Sequence, residues 1–198
     1  MRLIYLHGFR SSSRSFKARL LQDRFAAAGL ADRFLAPDLP VEPAAAIAQV
    51  QHEIRPVAAD TLVGSSLGGC YATWLAEQVG CKAVLLNPAV RPARDLATQV
   101  GAQTGYHDGQ LFEFRQAYVE QLRGYEVEHI TRPERYFLIA AQGDEVLDWR
   151  EMVAHYPGAR QRVIPGSDHG LSDFADWIDE VLAFSGFRPE EMSKSNVG

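Results

Sequence analysis

Short apolar runs alternate with helix-like segments along most of this chain. Strands that are buried on both faces read as continuous apolar runs, and strands separated by helices pair in parallel. The sequence therefore predicts an α/β fold, a compact core of about six mainly parallel strands flanked by helices. The predicted strands lie at residues 3–6, 33–36, 61–63, 83–86, 136–141 and 162–164.

Two segments between and after these strands show an apolar stripe at helical spacing, which is typical of a helix packed on a sheet. The first stripe consists of Phe16, Leu20, Leu21, Phe25 and Ala28. The second, near the C-terminus, consists of Leu171, Phe174, Ile178, Val181 and Leu182. We interpret both stripes as core.

The chain has 198 residues, which suits one domain with a substantial core. We predict a single domain over residues 1–187. Residues 88–135 interrupt the alternation and are predicted to form a helical insertion, or lid, after the fourth strand, with a helix near residues 110–122. Residues 188–198 are polar and lack periodicity, so we expect a disordered tail.

The net charge and the composition limit the kinds of partner that we expect this chain to bind. A net charge of −5 argues against nucleic acid or an anionic membrane as a partner, and no apolar run approaches the roughly 20 residues that span a bilayer. Cys70 and Cys81 give neither a disulfide framework nor a zinc-ligand spacing, and we expect buried free thiols. These features favour a cytoplasmic protein that acts on a small molecule.

Residues 64–69 read Gly-Ser-Ser-Leu-Gly-Gly and join the third predicted strand to a helix-like run. This pattern is typical of a nucleophile elbow, a sharp turn that exposes a serine hydroxyl. Gly64 and Gly68 flank Ser66 at two residues on either side, whereas Ser65 has Val63 and Leu67 at the corresponding positions. The pattern therefore selects Ser66. A glycine-rich turn without chemistry is the alternative.

A nucleophilic serine needs a base and an orienting carboxylate, both from later strand ends in this kind of sheet. Asp144 follows the strand at 136–141, and His169 follows the strand at 162–164. The order Ser, Asp, His along the chain is that of α/β hydrolases. We therefore predict Ser66, Asp144 and His169 as catalytic residues.

Other residues compete for the last two roles. Asp148 is a rival acid, and Asp144 itself also suits a turn or a helix cap. The chain's other histidines fall in helical runs, a polar connection, the insertion or the first strand end, and they are His7, His52, His107, His129 and His155. Asp168 and Asp173 lack a further ligand cluster beside His169, so we expect no metal.

The first strand ends at His7-Gly8-Phe9-Arg10. In a parallel sheet this loop would approach the elbow, so we predict an oxyanion hole from the backbone N–H groups of Phe9 and Leu67. Arg10 is a candidate to line the substrate site or merely to solvate its loop. In the insertion, Tyr106 and Phe112 are substrate-binding candidates alongside Phe114 and Tyr118, and at least half of these aromatic residues are expected to pack on the core.

Together these segments make the chain resemble the α/β-hydrolase superfamily and, more closely, the small bacterial esterases of the YqiA type. The segments that carry the resemblance are YLHGFRSS at 5–12, FKA at 16–18, GSSLGG at 64–69, YATWLAE at 71–77, NPAVRP at 87–92, QGDEVLDWR at 142–150 and SDHGLSDF at 167–174.

The resemblance implies hydrolysis of carboxylic esters, and of acyl thioesters, through a serine acyl-enzyme without a cofactor. It assigns Ser66 as nucleophile, Asp144 as acid and His169 as base. Asp168 stands where the family commonly has asparagine, which adds a negative charge beside His169. Two alternatives remain: the same residues acting on a thioester, lactone or carbon–carbon bond, and a non-catalytic ligand-binding or interaction protein on a hydrolase scaffold.

Overall fold

The computed structural model describes residues 1–107 and 109–192, and its centre is a parallel sheet. Within these residues the sheet has six strands in the order β2-β1-β3-β4-β7-β8, all paired in parallel. They are β1 (Leu3–Leu6), β2 (Phe34–Leu35), β3 (Thr61–Ser65), β4 (Lys82–Leu86), β7 (Tyr136–Ala141) and β8 (Arg160–Ile164). The predicted α/β class and its six parallel strands are confirmed.

Helices cover both faces of the sheet. They are α1 (Phe16–Ala27), α2 (Pro43–Gln49), α3 (Leu67–Val79), α4 (Pro92–Asp95), α5 (Gln116–Arg123), α6 (Trp149–His155), α7 (Ile178–Ser185) and α8 (Pro189–Met192). Helices α1 and α7 bury their apolar stripes on one face, and α2, α3, α5 and α6 do so on the other. Successive side chains of β1 alternate between the two apolar layers, as a strand requires.

Shorter helical turns complete the chain. A π-helical turn, Val50–Ile54, extends α2, and 3-10 turns lie at Ala31–Arg33, Ala97–Gln99, Pro133–Arg135 and Phe174–Asp176. In the described part of the chain, no helix combines the length and the apolar character needed to cross a membrane.

The insertion differs from the predicted helical lid. It contains a two-stranded antiparallel sheet of β5 (Gly101–Thr104) and β6 (Leu111–Phe114), and α5 starts at Gln116, not near residue 110. Alternation explains β6: Phe112 and Phe114 turn inward, whereas Leu111 is exposed. This period of two is a strand signal inside a segment that we predicted as helix.

Two further predictions, one on α1 and one on the C-terminal tail, are also corrected. Phe16 is 50% exposed, and Lys17 instead joins Leu21 and Phe25 on the buried face of α1, at a spacing of four residues. The expected disordered tail contains α8, and Met192 is buried in the apolar layer beside α1. The rest of that predicted tail, residues 193–198, lies outside the described residues.

Candidate active site

Ser66 lies in the turn between β3 and α3. Its backbone has φ 55° and ψ −120°, a conformation that residues other than glycine rarely adopt. The N–H of Ser66 donates to the carbonyl of Leu86 (3.0 Å), and its carbonyl accepts from Gly69 (2.8 Å) and Ala89 (3.0 Å). These bonds to α3 and to the loop after β4 hold the strained turn in place.

The glycines of this turn allow chain segments to approach closely. A Cβ atom on Gly64 would lie 2.2 Å from the carbonyl oxygen of Gly68, and one on Gly68 would lie 2.0 Å from that of Leu6. A Cβ on Gly69 would lie 2.6 Å from Cβ of Pro88. A side chain at Gly64, Gly68 or Gly69 would therefore push α3 away from β3, from β1 or from the loop after β4, respectively.

A hydrogen-bonded chain joins Ser66, His169 and Asp144. The Ser66 hydroxyl lies 3.1 Å from Nε2 of His169, and Nδ1 of His169 lies 2.8 Å from Oδ2 of Asp144. A carboxylate only accepts hydrogen bonds, so Nδ1 carries the imidazole proton and Nε2 accepts from the serine. This is the geometry of a nucleophile, a base and an orienting acid.

The side chain of Asp144 is fully buried and is held by the loop after β7. Its Oδ1 accepts from the N–H groups of Val146 (2.8 Å) and Leu147 (2.8 Å), which leaves Oδ2 for His169. The rival Asp148 is half-exposed and accepts from the N–H of Arg150 (2.9 Å), so it caps α6 instead. The structure thus brings Asp144, and not Asp148, to the histidine.

Asn87, at the end of β4, is a buried residue that our sequence reasoning missed. Its side-chain NH₂ donates to the carbonyls of Asp168 (2.9 Å) and His169 (3.1 Å), and its Oδ1 accepts from the N–H of Ala141 (2.8 Å). Its φ of 42° suits asparagine better than most residues. Asn87 therefore ties the histidine loop to the strand end that leads to Asp144.

The loop after β1 passes directly beside the elbow. A Cβ on Gly8 would lie 3.1 Å from Cβ of Ser66. Within the described chain, the N–H groups of Phe9 and Leu67 donate to no protein acceptor. Both predicted oxyanion donors thus keep a free N–H in this part of the structure.

His7 stabilises that loop. Its Nδ1–H donates to the carbonyl of Gly8 (2.9 Å), and its Nε2 accepts from the N–H of Leu39 (2.9 Å). Burial lowers the pKa of His7, which favours the neutral ring that these two bonds require. With both nitrogens engaged, His7 supports the loop backbone and is no rival base for Ser66.

A cleft of about 710 Å³ opens over Ser66 and His169. Arg10 and Tyr106 line it: the guanidinium of Arg10 lies 4.4 Å from the centre of the Tyr106 ring, and its Nε donates to the carbonyl of Thr104 (2.8 Å). Tyr106 is 66% exposed, at the rim. The structure thus brings two of the three substrate-binding candidates to the cleft.

Phe112, the third candidate, lies in a neighbouring pocket of about 290 Å³. Its ring packs edge-on against Phe9 with the centres 6.0 Å apart, and Phe114 packs on Phe9 from below at 4.8 Å. The side chain of Phe9 thus lines both cavities. Phe112 and Phe114 support the loop that carries the Phe9 N–H.

Lys17 also lines the Ser66 cleft, and our sequence reasoning did not single it out. It is 8% exposed, and its ammonium donates to the carbonyl of Gly170, directly after His169. Burial lowers the pKa of Lys17 to about 8, against the opposing charges of Asp168 and Asp144. The sequence signal that could have identified Lys17 is its helical spacing from Leu21 and Phe25, which places it on the buried face of α1.

Asp168, the charged residue before His169, is turned toward its own loop. Its Oδ1 accepts from the N–H of Ser172 (3.0 Å). Hydrogen bonding from the Ser172 hydroxyl, together with this N–H bond and the nearby charge of Lys17, lowers the pKa of the Asp168 carboxyl. Asp173 is also engaged, because its two oxygens accept from Ser167 and Trp177. In the residues that the structure describes, no group of three or more His, Cys, Asp or Glu side chains is arranged to hold a metal ion.

Solved structures with a similar fold include several α/β hydrolases. A structure reported with the metagenome-derived lipolytic enzymes LipS and LipT has a TM-score of 0.66 at 18% identity, over 94% of this chain and 93% of the other. Est1E from Butyrivibrio proteoclasticus with bound ferulic acid has a TM-score of 0.62 at 17% identity, over 98% and 90%. The α/β hydrolase domain-containing protein 10 from mouse has a TM-score of 0.62 at 16% identity, over 91% and 89%.

At these identities the similarity establishes the fold, which is that of the α/β hydrolases. Residues 2–186 match the family described as "Uncharacterised protein family (UPF0227)". That match covers most of the chain, including the elbow, the histidine loop and the insertion. The chain therefore belongs to the UPF0227 family and has an α/β-hydrolase fold.

Proposed function

We propose that the protein is a serine hydrolase that cleaves carboxylic esters of short to medium acyl chains. The observation that carries this proposal is the hydrogen-bonded chain from Ser66 through His169 to the buried Asp144, at the floor of an open cleft. A non-catalytic binding protein would have no use for a strained serine aligned on an imidazole.

In the first half of the reaction, Ser66 Oγ attacks the ester carbonyl carbon, and Nε2 of His169 takes the hydroxyl proton. The resulting imidazolium is stabilised by the Asp144 carboxylate, which also fixes the ring orientation. The tetrahedral intermediate then collapses, the bond to the alcohol oxygen breaks, and His169 returns the proton to that oxygen. The alcohol leaves, and the acyl group stays on Ser66.

In the second half, water attacks the acyl-enzyme carbonyl while His169 takes one of its protons. Collapse of this intermediate breaks the bond to Ser66 Oγ, which regains the proton from His169, and the carboxylic acid leaves. Each step balances with water as the only co-reactant, so we propose a reaction without a cofactor or metal.

The oxyanion of both intermediates would be held by the N–H groups of Phe9 and Leu67. Leu67 begins α3, so its N–H lies at the positive end of a helix. The anchoring of the Phe9 loop by His7 supports this role, because oxyanion donors act best when they are fixed before the charge develops.

The walls of the cleft support an ester with an apolar part. Leu96, Val146, Leu147 and Tyr106 line it above Ser66, and Val146 and Tyr106 are exposed at its rim. Ester and lipolytic chemistry among the structural neighbours agrees with this choice. We place the activity in the cytoplasm, since Cys70 and Cys81 are both buried free thiols.

The direct test measures p-nitrophenyl butyrate hydrolysis by the wild type and by Ser66→Ala. Loss of the nucleophile is expected to lower kcat by at least about a thousandfold. Ser185→Ala is the matched control, because this serine is buried on α7 and donates only to the carbonyl of Val181. Equal rates for wild type and Ser66→Ala would refute the proposal, and a fluorophosphonate probe should label the wild type but not Ser66→Ala.

A further inference from the structure

Lys17 places a buried positive charge on the wall of the Ser66 cleft. It is the second residue of α1, and its ammonium reaches the carbonyl of Gly170 on the loop that carries His169. Lys17, Gly170, His169 and Ser66 all line the same cavity. The hydrolysis proposed above makes no use of this amine.

The Lys17 ammonium has no counterion in direct contact within the described residues, where no carboxylate oxygen lies within 4.0 Å of it. The nearby carboxylates are committed elsewhere: Asp144 to His169 and two backbone N–H groups, and Asp168 to Ser172. An ammonium has three N–H donors, and Gly170 takes one. Burial of a charge with no carboxylate in direct contact is costly, so its retention at a cleft wall points to a ligand.

The other two cations of the cleft wall, Arg94 and Arg10, are more exposed than Lys17 and are partly engaged. Arg94 forms ion pairs with Asp95 (2.8 Å) and Glu151 (2.6 Å). Arg10 donates from Nε to Thr104 and stacks on Tyr106. Among the basic side chains described along this wall, Lys17 is therefore the buried one with donors left for an anion.

Buried hydroxyl groups lie on the same side of the cleft. Ser15 and Tyr5 both line it, and Ser15 Oγ donates to the Tyr5 hydroxyl (3.4 Å). Burial raises the pKa of Tyr5 to about 12, so its phenol stays protonated and keeps an O–H to donate. The one hydroxyl hydrogen of Ser15 is already donated to Tyr5, so the donors on this wall are the Lys17 ammonium and the Tyr5 phenol, a set that suits a carboxylate.

We propose that Lys17, with the Tyr5 hydroxyl that Ser15 supports, forms an anion subsite of the Ser66 cleft, and that the preferred substrate is an ester bearing a carboxylate. This inference rests on the proposed esterase function. The carboxylate belongs either to the acyl part or to the alcohol part of the ester, and the substrates below separate the two.

The first experiment compares matched charged and neutral esters on the wild type. For charge in the acyl part, the pair is p-nitrophenyl hydrogen glutarate and p-nitrophenyl pentanoate. For charge in the alcohol part, the pair is 3-(pentanoyloxy)propanoate and propyl pentanoate. The hydrolysis of these two esters is measured by the acid that is released. In one of the two pairs, kcat/KM should favour the charged ester by about tenfold or more, the scale of a charge-assisted hydrogen bond. A preference for the neutral ester in both pairs would overturn the proposal.

The second experiment removes the charge with Lys17→Met. The variant should lose the preference, with kcat/KM falling about tenfold or more on the charged ester and much less on its neutral partner. Arg19→Met is the matched control, since Arg19 is an exposed residue of the same helix. Equal losses on both esters would mean that Lys17 only ties α1 to the histidine loop, which refutes the subsite.

The third experiment measures binding without turnover. In Ser66→Ala, calorimetry should detect monomethyl glutarate when the charge belongs to the acyl part, or 3-(pentanoyloxy)propanoate when it belongs to the alcohol part. It should detect the neutral analogues, dimethyl glutarate and propyl pentanoate, much more weakly. Addition of Lys17→Met should abolish the difference. If both charged ligands bind no better than their neutral analogues, the subsite is refuted even where esterase activity is present.

Binding of the anion should also weaken as pH rises through about 8, where Lys17 loses its proton. The other titratable groups that face this part of the cleft are Tyr5 on β1, Asp144 after β7, and Asp168 and His169 after β8. Because the pH series uses Ser66→Ala with Lys17 intact, it stays decisive if Lys17→Met fails to fold; an affinity that does not change through this range contradicts the role of Lys17. If the wild type hydrolyses none of these esters, the esterase function is refuted, but the anion subsite is not.

Discussion

Replacement of Asn87 by alanine tests whether the histidine loop is held by the end of β4. The variant loses three hydrogen bonds, a buried one to Ala141 and partly buried ones to Asp168 and His169. At a net value of about 1 kcal/mol for each bond, these contribute roughly 3 kcal/mol. Alanine at φ 42° adds about 1 kcal/mol of backbone strain that asparagine tolerates better. We therefore expect a loss of about 4 kcal/mol in the free energy of unfolding.

Urea unfolding measures this loss, and kcat/KM on p-nitrophenyl butyrate measures its effect at the site. Because two of the three bonds fix the main chain at His169, activity of the folded variant should fall by about tenfold or more, through misplacement of the imidazole. Ser185→Ala, which removes one buried hydrogen bond on α7, should lose only about 1 kcal/mol and keep full activity. A stable Asn87→Ala variant with the wild-type rate would refute this reasoning.

Three further predictions concern the elbow, the acid and a buried ion pair. Gly68→Ala should destabilise the fold by several kcal/mol and abolish Ser66 labelling by fluorophosphonate, because its Cβ would lie 2.0 Å from the Leu6 carbonyl. Asp144→Asn should lower kcat by roughly ten-thousandfold through the wrong imidazole tautomer, whereas Asp148→Asn should change it little. Asp60→Asn should lower the free energy of unfolding by about 3 kcal/mol in thermal or urea melts, since it breaks a buried ion pair.

The Asp60 variant also has a pH signature. Burial alone would raise the pKa of Asp60, but hydrogen bonds from Arg2 and Val57 outweigh it, and the pKa is lowered. The stability that this carboxylate contributes is therefore full above its unfolded pKa of about 3.9 and is lost as pH falls through the lower folded value. The stability gap between wild type and Asp60→Asn should close in strong acid; a gap that widens there contradicts this account.

The sheet could be predicted from the sequence because its strands are buried on both faces. Such strands read as apolar runs, and the predicted bounds of β1 and β7 match the structure at both ends. The strand-end positions followed, and with them Ser66, Asp144 and His169 as neighbours at one edge of a parallel sheet. The local sequence pattern was enough to predict these three residues because the position of each one is set by the strand that precedes it.

The helix expected in the insertion is present as α5, but the two strands of the insertion and the buried face of the first turn of α1 were not predicted, for a different reason. The strand β6 has only two inward residues, Phe112 and Phe114, and their partner Phe9 lies about a hundred residues earlier in the chain. Lys17 occupies a core-facing position of α1 that an apolar stripe assigns to Phe16. In both cases a contact with a distant part of the chain decides which side chains turn inward. The local hydrophobic pattern does not reveal that contact.

Five of the six strands, from β1 to the edge strand β8, each deliver one element of the proposed chemistry at their carboxyl ends. In sheet order from β1 to β8 these are Phe9, Ser66, Asn87, Asp144 and His169. Lys17 and Tyr106 stand outside this row, on α1 and on the insertion, yet they line the same cleft. In the proposed reaction, bond cleavage and substrate choice therefore depend on separate elements. A change at Asn87 should slow every ester alike, whereas a change at Lys17 should alter which ester is preferred.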